Sequence, residues 1–268
     1  ESITYIIDNF TFEAGVRKLK EKIYELIREL NVRIINEEFL EKINIDTKLI
    51  DNILGENNKL NLRKINESPQ IGRVCGMYAS SYGSGGITII ESSKSLCEQK
   101  LSLELTGNQG NVMKESMKVS KTLAWSLISD DIKKKIRNDD PFGIHIHCPE
   151  AAVSKDGPSA GVAITVCIIS LLADIPIKNN ISITGEVDLN GNVLAIGGLE
   201  SKLEGAKNAG IKLALYPKEN EKDMNKIIEE NKLLIDNDFN VQPVSKIIDV
   251  INIIFDNSCI KPSFLVDK

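Results

Sequence analysis

The stretch Lys155-Asp-Gly-Pro-Ser-Ala-Gly161 delivers a hydroxyl, that of Ser159, to the start of an unusually apolar run, Val162 to Leu172. Pro158 suits the first position of a helix, where its missing N–H costs nothing. Gly157 lets the backbone turn sharply, and Asp156 and Ser159 are both candidate N-caps. A serine held there lies beside unpaired backbone N–H groups and the positive end of a helix dipole, an arrangement suited to an oxyanion. A capped helix and nothing more is the plainer reading, and the local pattern leaves it open. A nucleophilic serine also needs a base. The chain has two histidines, His145 and His147, at i, i+2 on one face of an expected strand. With Cys148 and Glu150 following, they also form a weak metal pattern, although paired strand histidines are more often structural. The other candidate base is Lys202, 43 residues after Ser159 and just behind Gly197-Gly198-Leu199. A lysine acts as a base only when neutral, so burial or positive neighbours must lower its pKa. A helix N-terminus favours that, whereas Glu200 opposes it if turned inward.

The elements that must position these groups change character along the chain. Ile3 to Ile53 reads as helical, with Val16, Leu19, Ile23, Leu26, Ile27 and Leu30 on one face and a shorter helix, Thr47 to Leu54, closed by Gly55. Glu56 to Gln70 is polar, which sets a helical subdomain at 1–60, a linker at 61–69, a second domain at 70–258 and a tail at 259–268. In the second domain Val74–Tyr78, Ile87–Glu91, Leu101–Leu105 and Ile144–His147 read as strands, with Gly83-Ser84-Gly85-Gly86 as a hairpin turn. One long helix is expected from Val112 to Ile136. Asn190-Gly191 joins two extended stretches, Ile181–Leu189 and Asn192–Ile196, as a hairpin. Helices over Leu199–Asn208, after Asn220 and over Val244–Phe255 flank strands at Leu213–Tyr216 and near Val241. Strands interleaved with helices, including a hairpin, give an α/β (α+β) domain with a mixed sheet.

Composition excludes several classes. The 268 residues carry net charge −5, so nothing favours nucleic acid or an anionic membrane as partner. The run Gly161–Ala173 is too short to span a bilayer. Five cysteines, Cys75, Cys97, Cys148, Cys167 and Cys259, contain no C-x-x-C pair, which argues for reduced thiols and against a zinc ribbon or a disulfide framework. The glycine cluster at 83–86 lacks a following Lys-Ser/Thr and is no P-loop. Glu1 in place of Met, with no signal-peptide pattern, is the expected look of an excised fragment.

Leu105-Thr-Gly-Asn-Gln-Gly-Asn-Val-Met-Lys-Glu-Ser116, Ile144-His-Ile-His147 with Pro149-Glu150, the Ser159 turn, Thr184-Gly-Glu186, Gly197-Gly-Leu199 followed by Lys202, and Pro217-Lys-Glu-Asn-Glu-Lys-Asp223 follow one another along the chain. In that order these phrases resemble the Lon (endopeptidase La) family. The likeness covers residues 70 to 256. Residues 1 to 55 resemble the last helical subdomain of the family's ATPase module through Thr11-Phe-Glu-Ala-Gly-Val-Arg17-Lys-Leu19.

The resemblance implies a serine endopeptidase with a Ser–Lys dyad: Ser159 as nucleophile, Lys202 as base, Thr184 orienting Lys202. Asp156 is a possible gate that engages the dyad, and His147 a supporting residue near the serine. Arg17 is implied as an ATP sensor, and ATP and Mg as cofactors, of the full-length protein alone, since no Walker A or Walker B segment is present. A homohexamer, unfolded or damaged protein substrates, and a mitochondrial matrix or bacterial cytoplasmic location are further implications; no metal is implied for the fragment. Three departures stand out. Gly76-Met-Tyr-Ala-Ser-Ser81 replaces Gly-Leu-Ala-Trp-Thr-Glu, so Ser81 stands where an acid is usual. Glu200-Ser201 replaces Lys-Glu, and Glu150-Ala-Ala-Val-Ser154 replaces Glu-Gly-Ala-Thr-Pro. The competing expectation is a non-catalytic ring-assembly module whose dyad is misaligned in the fragment.

Overall fold

The computed structural model describes residues 1–11, 15–36, 43–55, 59, 65, 67–80, 83–149, 156–231 and 234–255. Phe12 to Ala14, Ser81, Glu150, Ser154, Lys155, Cys259 and the 259–268 tail therefore lie outside the described residues. The chain divides into two compact units, Glu1–Leu62 with Ser80–Ser84, and Arg63–Ala79 with Gly85–Lys268.

The first unit is helical. Helices α1 (Ser2–Ile6), α2 (Arg17–Ile35) and α3 (Thr47–Leu54) bury Ile6, Phe10, Leu26, Leu30, Ile50 and Leu54 together. Asp46 caps α3 by accepting from the Leu49 amide at 2.8 Å, and Gly55 closes that helix at φ 83°.

The second unit is built on a mixed sheet of seven strands. In spatial order they are β11 (Asn240–Val244), β10 (Leu213–Pro217), β7 (Ile181–Ile183), β2 (Arg73–Ala79), β3 (Gly85–Leu96), β5 (Phe142–His147) and β4 (Leu103–Thr106). The first four run parallel, β3 is antiparallel to both its neighbours, and β4 is parallel to β5. Two small antiparallel pairs complete it: β1 (Gln70–Ile71) with β6 (Pro176–Ile177), and β8 (Glu186–Val187) with β9 (Val193–Leu194).

The period of two along each strand assigns the faces. Val74, Ile90, Ile144, Ile146, Ile181, Ile183 and Leu215 point into one core, shared with α4 (Asn111–Leu127), α6 (Gly161–Ala173) and α9 (Ile247–Ile254). Cys75, Met77, Ala214 and Tyr216 point to the other, beneath α7 (Leu199–Asn208) and α8 (Glu221–Glu230). Helix α6 is buried on nearly every side, which accounts for its largely apolar sequence, and its two polar residues, Thr165 and Ser170, hydrogen-bond Gly161 O and Ile175 O.

Three expectations are corrected. The single helix over 112–136 is two, α4 and α5 (Asp130–Asn138), because Ser129 caps α5 by accepting from the Ile132 amide, with Asp130 and Asp131 in its first turn. The stretch 181–189 is not one strand, since β7 stops at Ile183 and β8 begins at Glu186. Neither Asp156 nor Ser159 caps its own helix: Pro158–Ala160 forms a 3-10 turn with Gly157 at its N-cap, and α6 starts at Gly161 after Ala160.

Candidate active site

The break between β7 and β8 is where the chemistry converges. Thr184 leaves the sheet on the α7 side, the face of its i−2 neighbour Ser182. Its amide still donates to Leu215 O at 3.1 Å, so the backbone stays anchored to β10. Its hydroxyl, fully buried, donates to Ser159 O at 3.3 Å and accepts from Lys202 Nζ at 3.2 Å. The Gly185 amide donates to the same Ser159 carbonyl at 2.8 Å, and the Val162 amide returns a bond to Gly185 O at 3.1 Å. The serine turn is thus stitched to the end of β7, and Lys202 reaches the same point from α7. Ser159 itself is half-buried in the middle of the 3-10 turn.

Lys202 is only 4% exposed. Burial pushes its amine down to about 8 from an ordinary 10.5, because an ammonium loses solvation there. Glu200 points to solvent. The hydrogen bond of Lys202 among the described residues runs to Thr184, not to Ser159.

Glycines set the position of α7. A Cβ on Gly85 would lie 1.8 Å from Ser201 O, and one on Gly205 would lie 2.2 Å from Gly86 N, so β3 and α7 touch backbone to backbone at the turn that carries Lys202. The segment leading into α7 is held by Asn220, which accepts from the Ile196 amide at 2.9 Å and donates to Ile196 O at 2.8 Å, while Glu219 accepts from the Ala195 amide. Sequence reasoning took the glycines for a hairpin turn alone and assigned Asn220 no role; consecutive glycines inside a strand were the available signal.

The remaining candidates lie elsewhere or act otherwise. Asp156 is exposed, and its Oδ1 accepts from the Met113 amide at 3.1 Å in the first turn of α4. That is its partner here, rather than Lys202. His145 and His147 both hydrogen-bond the Thr106 hydroxyl, at 2.8 and 2.7 Å. They stand on the sheet face opposite Ile144 and Ile146, with Glu104 Oε2 4.0 Å from His145 Nδ1. Neither is joined to Ser159 or Lys202 by a hydrogen bond among the described residues, and no group of three or more metal-ligating side chains occurs among them. Arg17, its side chain 89% exposed, pairs with Glu21 at 3.2 Å.

A mixed-sheet α/β domain that brings a serine turn and a buried amine to one strand end is the scaffold of a candidate serine hydrolase. The comparisons with known proteins are specific. A family model described as the Lon protease C-terminal proteolytic domain matches residues 44–257, and one described as the Lon protease AAA+ ATPase lid domain matches residues 1–43. The chain is 40% identical to a Lon protease of Clostridium acetobutylicum over 228 residues, which is 84% of this chain and 28% of that protein. It is 39% identical to one of Buchnera aphidicola subsp. Baizongia pistaciae over 259 residues, covering 96% of this chain and 32% of that protein. The chain belongs to the Lon protease family, and it spans less than a third of the length of these two relatives.

Proposed function

We propose that this chain is the proteolytic part of a Lon-type serine endopeptidase working through a Ser159–Lys202 dyad. The observation that carries the proposal is the buried Lys202 amine on the Thr184 hydroxyl, which is itself bonded to the Ser159 carbonyl. Neutral Lys202 takes the Ser159 proton as Oγ bonds to the carbonyl carbon of a substrate peptide. As the tetrahedral intermediate collapses, the C–N bond breaks and the lysine ammonium returns the proton to the leaving amine. Water, deprotonated by Lys202, then cleaves the acyl ester and regenerates Ser159. Of the backbone donors near the turn, the Gly161 and Val162 amides already serve Pro158 O and Gly185 O. The Ser159 amide is the candidate oxyanion donor. Substrates are unfolded or damaged protein segments, bound extended so that alternate side chains enter pockets.

An ATP and Mg requirement, a homohexamer and a bacterial cytoplasmic or mitochondrial matrix setting are proposed for the longer protein alone. The residues present here do not fit a nucleotide: the sequence has no P-loop, and Arg17 is exposed beside Glu21. One observation favours the second reading, a ring-assembly module with a misaligned dyad, namely that Lys202 bonds Thr184 and not Ser159. Hydrolysis of an unfolded protein or a fluorogenic peptide by this chain decides between them. The dyad reading expects turnover that Ser159→Ala abolishes; a folded chain inert to peptides and to serine-reactive probes supports the assembly reading.

A further inference from the structure

Serine and threonine hydroxyls inside a helix ordinarily turn back to their own preceding turn. Thr122 and Ser126 of α4 do so, donating to Lys118 O at 3.1 Å and Leu123 O at 2.7 Å. Ser120 does not. Fully buried, it donates across to Gly161 O at 3.0 Å, where Thr165 of α6 also donates at 2.8 Å. Ser116, one turn earlier on the same face, reaches Pro158 O at a long 3.5 Å, and its Oγ lies 3.0 Å from where a Gly161 Cβ would stand. A further turn towards the N-terminus, the Met113 amide donates to Asp156. One stripe of α4, at positions 113, 116 and 120, therefore contacts the nucleophile turn at residues 156, 158 and 161, on both sides of Ser159. Gly110 completes the fit, because a Cβ there would lie 2.3 Å from the Asp156 carboxyl carbon.

We infer that α4 is the positioning element of the nucleophile turn, with Ser120 as its main positioning residue and the Asp156–Met113 bond as a second anchor. The inference rests on the Ser159–Lys202 reading above and assigns Ser120, Ser116 and Gly110 a role in setting Ser159 Oγ, without contact to substrate. Thr184 and Gly185 hold the Ser159 carbonyl from the sheet side, and α4 holds the flanking residues from the helix side. Between two such holds the hydroxyl keeps one attack geometry, and a misplacement of about 1 Å can cost on the order of 100-fold in rate.

Ser120→Ala and Gly110→Ala test the two anchors separately in the 268-residue chain. Ser120→Ala leaves Gly161 O with its Thr165 partner, and Gly110 has ordinary backbone angles, φ −73° and ψ 177°, that alanine adopts. The readouts are kcat and KM on a fluorogenic peptide, the rate of Ser159 labelling by a fluorophosphonate probe, the pH profile and the thermal midpoint. Each substitution is expected to lower kcat and the labelling rate together by about 10-fold, with KM within about twofold and the pH of the alkaline limb unchanged. Wild-type kcat and labelling in both variants overturn the inference, and so does a loss that only follows the unfolded fraction. Ser159→Ala, run in parallel, separates the two levels. If it abolishes turnover while Ser120→Ala and Gly110→Ala turn over normally, the α4 role alone falls. If it leaves turnover intact, or the parent chain is inert to the probe, the dyad reading falls and this inference with it.

Discussion

Two threonine hydroxyls of the second unit, Thr106 and Thr184, each meet a side chain that could act as a base, and their surroundings differ in exposure and in what lies on the other side of the hydroxyl. At Thr106 two histidines share one exposed hydroxyl. At Thr184 one lysine meets one fully buried hydroxyl under α7, and the opposite side of that hydroxyl is fixed to the serine turn. By residue type alone histidine is the better base near neutral pH. Placement is what separates the two sites. Burial pushes the lysine amine down to about 8, and the end of β7 holds it beside the serine turn, whereas the histidines are joined to each other through Thr106.

The sharpest break of this contrast is substitution of the two residues of the proposed dyad. Ser159→Ala is expected to reduce peptide hydrolysis by at least about 10³-fold, measured as kcat/KM, with the fold retained by circular dichroism. Lys202→Met is expected to be as inactive yet more stable at pH 7, by about 1–3 kcal/mol in urea unfolding, since it removes a desolvated amine. The sign follows from linkage. The folded-state pKa of about 8 lies below the ordinary 10.5, so the native state binds the proton less tightly than the unfolded chain does. The resulting penalty is present in full below about 8 and fades as pH rises from there to 10.5, so the advantage of Lys202→Met should shrink over that window. An equal or lower stability for Lys202→Met at pH 7 would contradict the burial account.

Thr184→Val tests the link between the amine and the turn. A loss of about 10-fold in kcat is expected, with the limb displaced to lower pH because the ammonium loses an acceptor; unchanged kcat and limb would remove Thr184 from the account. The smallest effects belong to the other cluster. His145→Ala and His147→Ala should each leave kcat/KM within about twofold, and a loss beyond 10-fold for either would restore the histidines as participants.

Much of this was legible in the residues, and what was hidden had a common cause. The stop of α3 at Gly55 and the entry to α7 after Gly197-Gly198 are local chemistry and were read from those glycines, whereas the Asp46 cap of α3 was not. The α4–α5 break was readable too, in Ser129-Asp130-Asp131, but an apolar pattern continuing through Ile132 and Ile136 masked it. Ser159 and Lys202 were candidates by type and position, but the local pattern left a plain helix cap and a solvated lysine open; the family resemblance singled them out, and Thr184 with them. The holds on the site were not legible. Ser120, Asn220 and Gly205 act on segments far away in the chain, and nothing in a helix sequence tells a hydroxyl that bonds its own turn from one that bonds a neighbouring helix. Asp156 shows the same limit: its cap is on α4, 43 residues from the bond it accepts.

The central claim is that burial turns Lys202 into a base at working pH, and the most direct measurement is its own titration. Isotope-labelled lysine side chains followed by NMR from pH 6 to 11, with Lys202→Met for assignment, give the midpoint of the Lys202 amine. The account predicts a midpoint near 8, coincident with the alkaline limb of kcat/KM. A Lys202 amine titrating at an ordinary 10.5, or a limb that does not follow it, would contradict the account.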